Sequence, residues 1–441
     1  MPRAPVATFV LSLALAPLAA QDPHLAAIRT WFATPPAERG PAPGADIALD
    51  AAAVARWLPD LVAACRDGER ALGAETLPPV TTNAEQALQP HERKVGSFTF
   101  PYVLLAKGDK PAGGWPLFVC LHGGGGNAEA TGPHAWDVND REWQAQKTLW
   151  ARIYPAPGLY FIPRMADDRQ GRWWFDHNQI AFDDVIREAI LFREVDPDRV
   201  YLMGISEGGY GAIRFAGNRP DRFAACGAMA AAEPLDTSPP QDMRNVALRI
   251  DIGERDTMFD RVGLARRMGD RLAELHAADP GGYDFVVNVQ SGRGHGIDYR
   301  PCPQWLATKV RNARPDRIVW TVRPFHSRVA VQNGWLALAA VPATMPLHLT
   351  ATLRGNALEL TAELEAADKP GTRLPATQGR VHVRVDAAMV DLGRAVTVRV
   401  NGKDRPAQTP HGNLATMVQT LAERGDPRLC FPAELVVDLG G

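Results

Sequence analysis

The sequence predicts an α/β protein with a doubly wound, mostly parallel sheet, a helical N-terminal arm and a small C-terminal all-β domain. Strand-type and helix-type runs alternate from about residue 97 to residue 312, which favours helices on both faces of one sheet. Strands such as Leu117–Leu121 and Val200–Met203 are continuous apolar runs, as is typical of buried parallel strands. Beyond about residue 315, alternating β-type runs are separated by turn residues, which predicts a small β-sandwich-like domain.

Four segments are predicted along the chain: a signal peptide at 1–20, the helical arm at 21–90, the α/β domain at 91–314 and the β-rich domain with its tail at 315–441. The signal peptide is indicated by Arg3, the apolar run Val6–Ala16 and the small residues before Gln21. The alternative is an uncleaved N-terminal anchor. Cleavage after Ala20 predicts a secreted or periplasmic protein without an integral membrane span.

Composition excludes several classes of protein. A net charge of −2 without a basic stripe argues against nucleic-acid binding, and 46% hydrophobic residues are enough for buried cores. Five cysteines allow at most two disulfides; Cys120 and Cys226 lie in apolar runs and are expected in the core, so a disulfide is permitted among Cys65, Cys302 and Cys430. No cysteine pair has metal-site spacing, and we expect neither a metal nor a cofactor.

The pentapeptide Gly204–Gly208 has the pattern G-x-S-x-G and stands between an apolar strand and a helix rich in small residues. This context is typical of a nucleophile elbow, in which a strained turn exposes a serine hydroxyl. The pattern therefore predicts Ser206 as a catalytic nucleophile. The alternative is a purely structural β–α turn.

A serine nucleophile needs a base and a carboxylate that orients the base. His295 lies between glycines after the strand-type run Phe285–Val289, which predicts it as the base. Asp256 follows the strand-type run Val246–Ile252 and is predicted as the acid. Glu254 and Asp260 are its rivals within the same turn.

The oxyanion of the tetrahedral intermediate needs preorganised N–H donors. A glycine-rich loop follows the strand Leu117–Leu121, and we expect the amides of Gly124, Gly125 and Glu207 to supply them. No Lys-Ser/Thr follows the glycines, which excludes a phosphate-binding P-loop. His122 is expected to be structural rather than a second base.

Two segments are expected to shape the substrate site. The loop Ala230–Asn245 is too short for a large lid, which predicts an open site suited to a polymeric or bulky aryl ester. The segment Arg164–His177 is predicted to form a cleft wall in which Trp173, Trp174 and His177 contact substrate. The alternative is that these rings attach the segment to the core.

These motifs together resemble the α/β-hydrolase superfamily, and most closely its secreted bacterial esterase and polyester-depolymerase-like branch, which is also similar to prolyl-oligopeptidase-type catalytic domains. The resemblance covers about residues 95–405 and includes Arg219–Ala225, the Gly253–Asp256 turn and the Pro315–Trp320 exit into a β module. Gly296 and Ala230–Glu233 depart from that branch, which puts the substrate pocket in doubt and not the triad.

The resemblance implies an exported serine hydrolase of carboxylic esters; oligomeric state and ester specificity remain open. One alternative is a prolyl-oligopeptidase-type peptidase, against which no β-propeller precedes the α/β region and no acidic pair for a peptide amine is evident. The other is a non-catalytic protein that binds a glycan or envelope surface.

Overall fold

The computed structural model describes residues 22–366, 369 and 371–440, and the predicted fold class is confirmed. A helical arm precedes an α/β domain, and a β-rich domain follows it. The predicted signal peptide, residues 1–20, lies outside the described residues. Among the residues that are described, no helix has the length and apolar character needed to cross a bilayer.

The α/β domain is organised by one eight-stranded sheet with the strand order β1-β2-β4-β3-β5-β6-β7-β8. The strands β1 and β2 pair antiparallel, β2 pairs antiparallel with β4, and the remaining neighbours are parallel. The strands are β1 (His91–Val95), β2 (Phe98–Lys107), β3 (Trp115–Leu121), β4 (Gly158–Pro163), β5 (Val195–Ile205), β6 (Ala225–Met229), β7 (Ala247–Gly253) and β8 (Phe285–Gln290).

Helices cover both faces of this sheet, as the apolar strands require. Side chains of β3 alternate between the faces: Val119 and Leu121 join one core cluster, whereas Phe118 and Cys120 join another. The helices of this domain are α4 (Asp137–Arg152), α5 (Asp176–Phe192), α6 (Glu207–Asn218), α7 (Arg261–Ala278) and α8 (Pro301–Leu306). The parallel strands from β3 onward therefore end along one common edge, where ligands bind in sheets of this kind.

The N-terminal arm comprises α1 (Pro23–Ala33), α2 (Ala51–Ala71) and α3 (Ala84–Ala87). Asp22 and Asp50 cap the first two helices by accepting hydrogen bonds from backbone amides of the first turn. The apolar faces of α1 and α2 share one buried cluster with the C-terminal helix α9 (Leu414–Arg424) and with Leu191 of α5. The arm is thus a packed part of the protein.

In the described part of the C-terminal domain, two larger sheets share one hydrophobic core between their inner faces, and the short strands Pro324–Phe325 and Arg328–Val329 form a separate two-stranded sheet. One sheet has the order β12-β13-β17-β20 and the other β19-β18-β15-β14-β9, with β16 paired to β15. Its strands are β9 (Arg317–Val322), β10 (Pro324–Phe325), β11 (Arg328–Val329), β12 (Gln332–Asn333), β13 (Leu336–Leu338), β14 (Leu347–Arg354), β15 (Ala357–Glu365), β16 (Arg373–Pro375), β17 (Arg380–Val385), β18 (Val396–Val400), β19 (Lys403–Gln408) and β20 (Ala433–Asp438).

All five cysteines are free thiols and buried. Cys65 and Cys430 lie in the cluster of the N-terminal arm, whereas Cys302 packs under the central sheet, where a Cβ on Gly227 would lie 2.3 Å from its Sγ. The disulfide that the sequence permits among these three residues is not formed.

Buried ion pairs join the α/β domain to the C-terminal domain. Asp221 pairs with Arg424 of α9 and accepts a hydrogen bond from the Gly334 amide at 3.0 Å. Arg311 pairs with Asp198 at 2.9 Å and with Asp426 at 2.8 Å. Removing one member of such a pair leaves a buried charge without its partner, so these contacts resist separation of the two domains.

Candidate active site

Ser206 stands on a strained turn between β5 and α6. Its backbone has φ 53° and ψ −113°, a left-handed conformation that is costly for a residue with a side chain. A Cβ on Gly204 would lie 2.2 Å from the Gly208 carbonyl carbon, and one on Gly208 would lie 2.3 Å from the Leu121 oxygen. Both glycines of the pentapeptide are therefore required by the close approach of strand and helix.

Asp256 and His295 lie in two loops that contact each other beyond the ends of β7 and β8. His295 Nδ1 is 2.7 Å from Asp256 Oδ2, and the carboxylate is almost fully buried. A Cβ on Gly253 would lie 2.0 Å from the Gly294 oxygen, so the two loops are tightly packed. With Nδ1–H donating to the carboxylate, Nε2 is free to accept a proton.

The two rival carboxylates have other partners. Glu254 accepts hydrogen bonds from Ser291 and from the Gly292 amide, and exposed Asp260 pairs with Arg267 at 2.6 Å. Asp256 is therefore the carboxylate of this turn that contacts His295. Within the described ranges no hydrogen bond joins Ser206 Oγ to His295, and such bonds often tighten only when substrate binds. The triad stays a prediction.

The glycine loop after β3 is fixed by a side chain of α4. Gly125 N–H donates to Asn139 Oδ1 at 3.1 Å, and Asn139 Nδ2 donates to the Gly125 oxygen at 3.0 Å. The Gly125 amide is thus already engaged, which corrects its expected role as an oxyanion donor. For the Gly124 amide no partner occurs among the described residues, and Glu207 is the first residue of α6, where the N–H has no intrahelical acceptor.

Asn139 is held by a second buried residue that no sequence motif marks. Its Nδ2 donates to Asp168 Oδ1 at 2.7 Å, and Arg164 donates to both oxygens of that carboxylate at 2.9 and 3.0 Å. Burial alone raises the pKa of Asp168, but the hydrogen bonds from Arg164 and Asn139 outweigh it and hold the pKa below its usual value. In the sequence, these residues could be found only by their position, because Arg164 and Asp168 follow β4 at the same edge of the sheet.

His122 is a buried neutral histidine. Its Nδ1 is 2.6 Å from the Gly123 oxygen, and the Met165 amide donates to its Nε2 at 2.9 Å. Burial lowers its pKa to about 4. With both ring nitrogens engaged, it positions the loops around it and has no free nitrogen for proton transfer.

Two of the three residues predicted to contact substrate are structural. Trp173 is fully buried, and its Nε1 donates to the His122 oxygen at 3.0 Å. His177 is buried against Phe98 with 3.9 Å between ring centroids, and burial lowers its pKa to about 4. These two predictions are wrong, because both rings attach the segment to the core.

Trp174 points the other way and lines a cleft of about 440 Å³. The Arg214 guanidinium lies 3.7 Å from the centroid of its ring. The cleft begins at Glu207, directly after Ser206, so Trp174 lies in a cleft beside the nucleophile elbow. Its contact with substrate stays a prediction.

The strand order, the antiparallel β2 and the serine turn after β5 are those of an α/β hydrolase, and the chain has the α/β-hydrolase fold. No family model matches the chain. The "Putative esterase NocK" of Nocardia uniformis subsp. tsuyamanensis is 33% identical over 178 residues, which cover 40% of this chain. The chain spans about half the length of this curated relative (50%).

Solved structures of esterases are also similar to the chain. A thermostable esterase is 20% identical, with a TM-score of 0.38, over 51% of this chain and 64% of its own. A carboxylesterase from Mesorhizobium loti is 18% identical, with a TM-score of 0.34, over 49% of this chain and 98% of its own.

Proposed function

We propose that the protein is an exported serine hydrolase that cleaves carboxylic esters through an acyl-enzyme. The observation that carries this proposal is the strained Ser206 turn at the sheet edge where the hydrogen-bonded Asp256–His295 pair also lies. Similarity to a relative described as an esterase supports ester cleavage. Export rests on the sequence of residues 1–20, and fractionation of the producing cell tests it.

Each residue has a defined role in the proposed reaction. Ser206 Oγ attacks the ester carbonyl carbon while His295 Nε2 takes its proton and Asp256 stabilises the resulting imidazolium. The amides of Gly124 and Glu207 donate to the oxyanion. His295 then gives the proton to the departing alcohol, and water hydrolyses the acyl-enzyme by the same route to release the carboxylic acid.

The peptidase alternative has one observation in its favour. Two carboxylates, Glu207 and Glu233, line the cleft beside the elbow, although no acidic pair is evident in the sequence. Each is paired with an arginine: Arg172 Nη1 is 2.8 Å from Glu207 Oε2, and Arg214 Nε is 2.6 Å from Glu233 Oε1. Since each carboxylate is paired with an arginine, the cleft offers no net negative charge to a peptide ammonium, and an ester remains the preferred substrate.

Covalent labelling by a fluorophosphonate, with parallel assays of p-nitrophenyl acyl esters and peptide anilides, tests the proposal. We expect Ser206→Ala to abolish labelling and to lower ester hydrolysis by about 10⁵-fold, as in other triads. The matched control is Ser97→Ala in the exposed turn between β1 and β2, which should leave both unchanged. Turnover of anilides without turnover of esters would establish the peptidase, and a folded wild-type protein without an adduct would favour the binding protein.

A further inference from the structure

The cleft beside the elbow runs along one face of α6. Glu207, Tyr210 and Arg214 are spaced by three and four residues, so they form a continuous floor that extends about 10 Å from the nucleophile turn. Arg172, Trp174 and Phe259 also line the cleft. A volume of about 440 Å³ falls within the range of small-molecule sites.

Three aromatic rings from three different segments meet in this cleft. Trp174 follows β4, Tyr210 lies on α6, and Phe259 comes from the turn after Asp256. Arg214 stacks on Trp174, and Arg261 donates to the Tyr210 hydroxyl at 2.7 Å, so two of the rings are held in position. Arg214 covers one face of Trp174, and the ring surfaces left uncovered in the cleft are apolar and can contact a planar group.

Phe259 is displayed toward solvent by a strained turn. It is 73% exposed, and it and Asp260 have φ values of 56° and 55°, which are unfavourable for residues with side chains. A large ring held in water on a strained backbone contributes nothing to the core. This arrangement is expected of a residue that contacts a ligand.

The charges of the cleft cancel in pairs. Arg172 pairs with Glu207, and Arg214 pairs with Glu233, so the four ionised side chains sum to zero. Glu207 Oε2 accepts from Arg172, but its buried Oε1 has no hydrogen-bond partner among the described residues. A buried acceptor without a donor is costly, and a ligand that supplies the donor recovers that cost. Burial raises the pKa of Glu207, which reflects the same lack of solvation.

We propose that this cleft binds a neutral planar ring of the ester substrate that carries a hydroxyl group, with Glu207 Oε1 accepting the hydroxyl proton in a hydrogen bond. The proposal rests on the ester hydrolysis proposed above and assigns that activity to hydroxyaryl esters. Trp174 and Phe259 contact the ring, and Glu207 determines the preference for the hydroxyl.

Other occupants fit the same surfaces less well. An aliphatic chain would leave the buried Glu207 Oε1 without a donor. A cationic group would meet the two guanidinium groups of Arg172 and Arg214, and an anionic group would meet the carboxylates of Glu207 and Glu233. A neutral ring with a hydroxyl satisfies the flat walls, the balanced charge and the free acceptor together.

Two pairs of esters, each differing by one hydroxyl, test the preference. The acyl pair is methyl 3-(4-hydroxyphenyl)propanoate with methyl 3-phenylpropanoate, and the alcohol pair is 2-(4-hydroxyphenyl)ethyl acetate with 2-phenylethyl acetate. The ethylene spacer keeps the reactivity of the ester equal within each pair. Because a hydrogen bond to a carboxylate is strong, we expect kcat/KM to favour the hydroxylated ester at least about tenfold in one pair.

Variants assign the preference to individual side chains. Glu207→Leu should reduce the hydroxyl preference to about one, measured as the ratio within a pair so that changes in overall rate cancel. Phe259→Ala should raise KM about fivefold for both esters of a pair, measured relative to the KM for vinyl acetate. The matched control is Met258→Ala, because Met258 is the neighbouring residue, is 63% exposed and does not line the cleft.

Binding separates this proposal from the proposed catalysis. Calorimetry on Ser206→Ala protein should show that 2-(4-hydroxyphenyl)ethanol or 3-(4-hydroxyphenyl)propanoate binds with a lower Kd than its unhydroxylated counterpart. Glu207→Leu should remove this difference in Kd. Equal kcat/KM and equal binding within both pairs would overturn the cleft assignment while leaving an esterase that hydrolyses vinyl acetate. Absence of fluorophosphonate labelling together with the selective binding would instead overturn the catalytic proposal and leave the cleft.

Discussion

Replacement of Asn139 by alanine should loosen the glycine loop after β3, which carries the proposed oxyanion donor Gly124, while leaving substrate binding intact. The substitution removes three hydrogen bonds, two to Gly125 and one to the buried Asp168 carboxylate. At about 1 kcal/mol for each of the two bonds to Gly125, the loop loses about 2 kcal/mol of the free energy that holds it in place. Since Gly124 and Gly126 are exposed, the loop can relax into water rather than unfold the domain.

A loss of about 2 kcal/mol corresponds to a fall of at most about 30-fold in the population of the competent loop, and kcat should fall by up to that factor. KM should change little, because in the proposed mechanism the Gly124 amide donates to the oxyanion and not to the ground-state ester. Steady-state kinetics on vinyl acetate and the rate of fluorophosphonate labelling measure the effect. If kcat stays within about threefold of wild type while the thermal midpoint falls, Asn139 acts on stability alone and the reasoning is refuted.

Three further predictions concern stability and the elbow. Asp221→Asn, which weakens the buried pair with Arg424, should cost about 3 kcal/mol in thermal unfolding without changing kcat, and a lowered kcat would count against a purely structural contact. His177→Phe should reduce the acid sensitivity of unfolding: burial lowers the folded-state pKa from 6.5 to about 4, so stability present above pH 6.5 is lost as pH falls toward 4. The variant should lose about 3 kcal/mol less across that interval in urea titrations, and equal losses would contradict the assignment. Gly204→Ala should abolish labelling because its Cβ overlaps α6, whereas Gly296→Ala, whose Cβ has no neighbour within 4 Å, should label normally.

The fold and the serine turn were predictable because their signals are local and ordered along the chain. Continuous apolar strands require a sheet covered on both faces, and a G-x-S-x-G turn between strand and helix has few other structural uses. Asp256 and His295 could be selected because each follows a strand, and parallel strands bring their carboxyl ends to one edge.

The side chains that fix and shape the site were not predictable in this way. Asn139 lies on a helix and contacts Gly125 and Asp168 only through the folded chain, and no spacing marks that contact. Trp173 and Trp174 are adjacent in a segment without regular secondary structure, so no period indicates which ring faces the core. The structure places Trp173 inside and Trp174 in the cleft.

One segment connects the proposed catalysis to the proposed specificity. A Cβ on Gly171 would lie 1.9 Å from the Gly125 oxygen, so the segment after β4 packs closely against the glycine loop after β3. The next residue, Arg172, pairs with Glu207, and Trp174 forms the cleft wall two residues later. A ring bound against Trp174 therefore stabilises the same backbone that holds the Gly124 amide in place. Hydroxyaryl esters should consequently show a higher kcat as well as a lower KM. Trp174→Ala should reduce this increase in kcat for hydroxyaryl esters while leaving the kcat for vinyl acetate nearly unchanged.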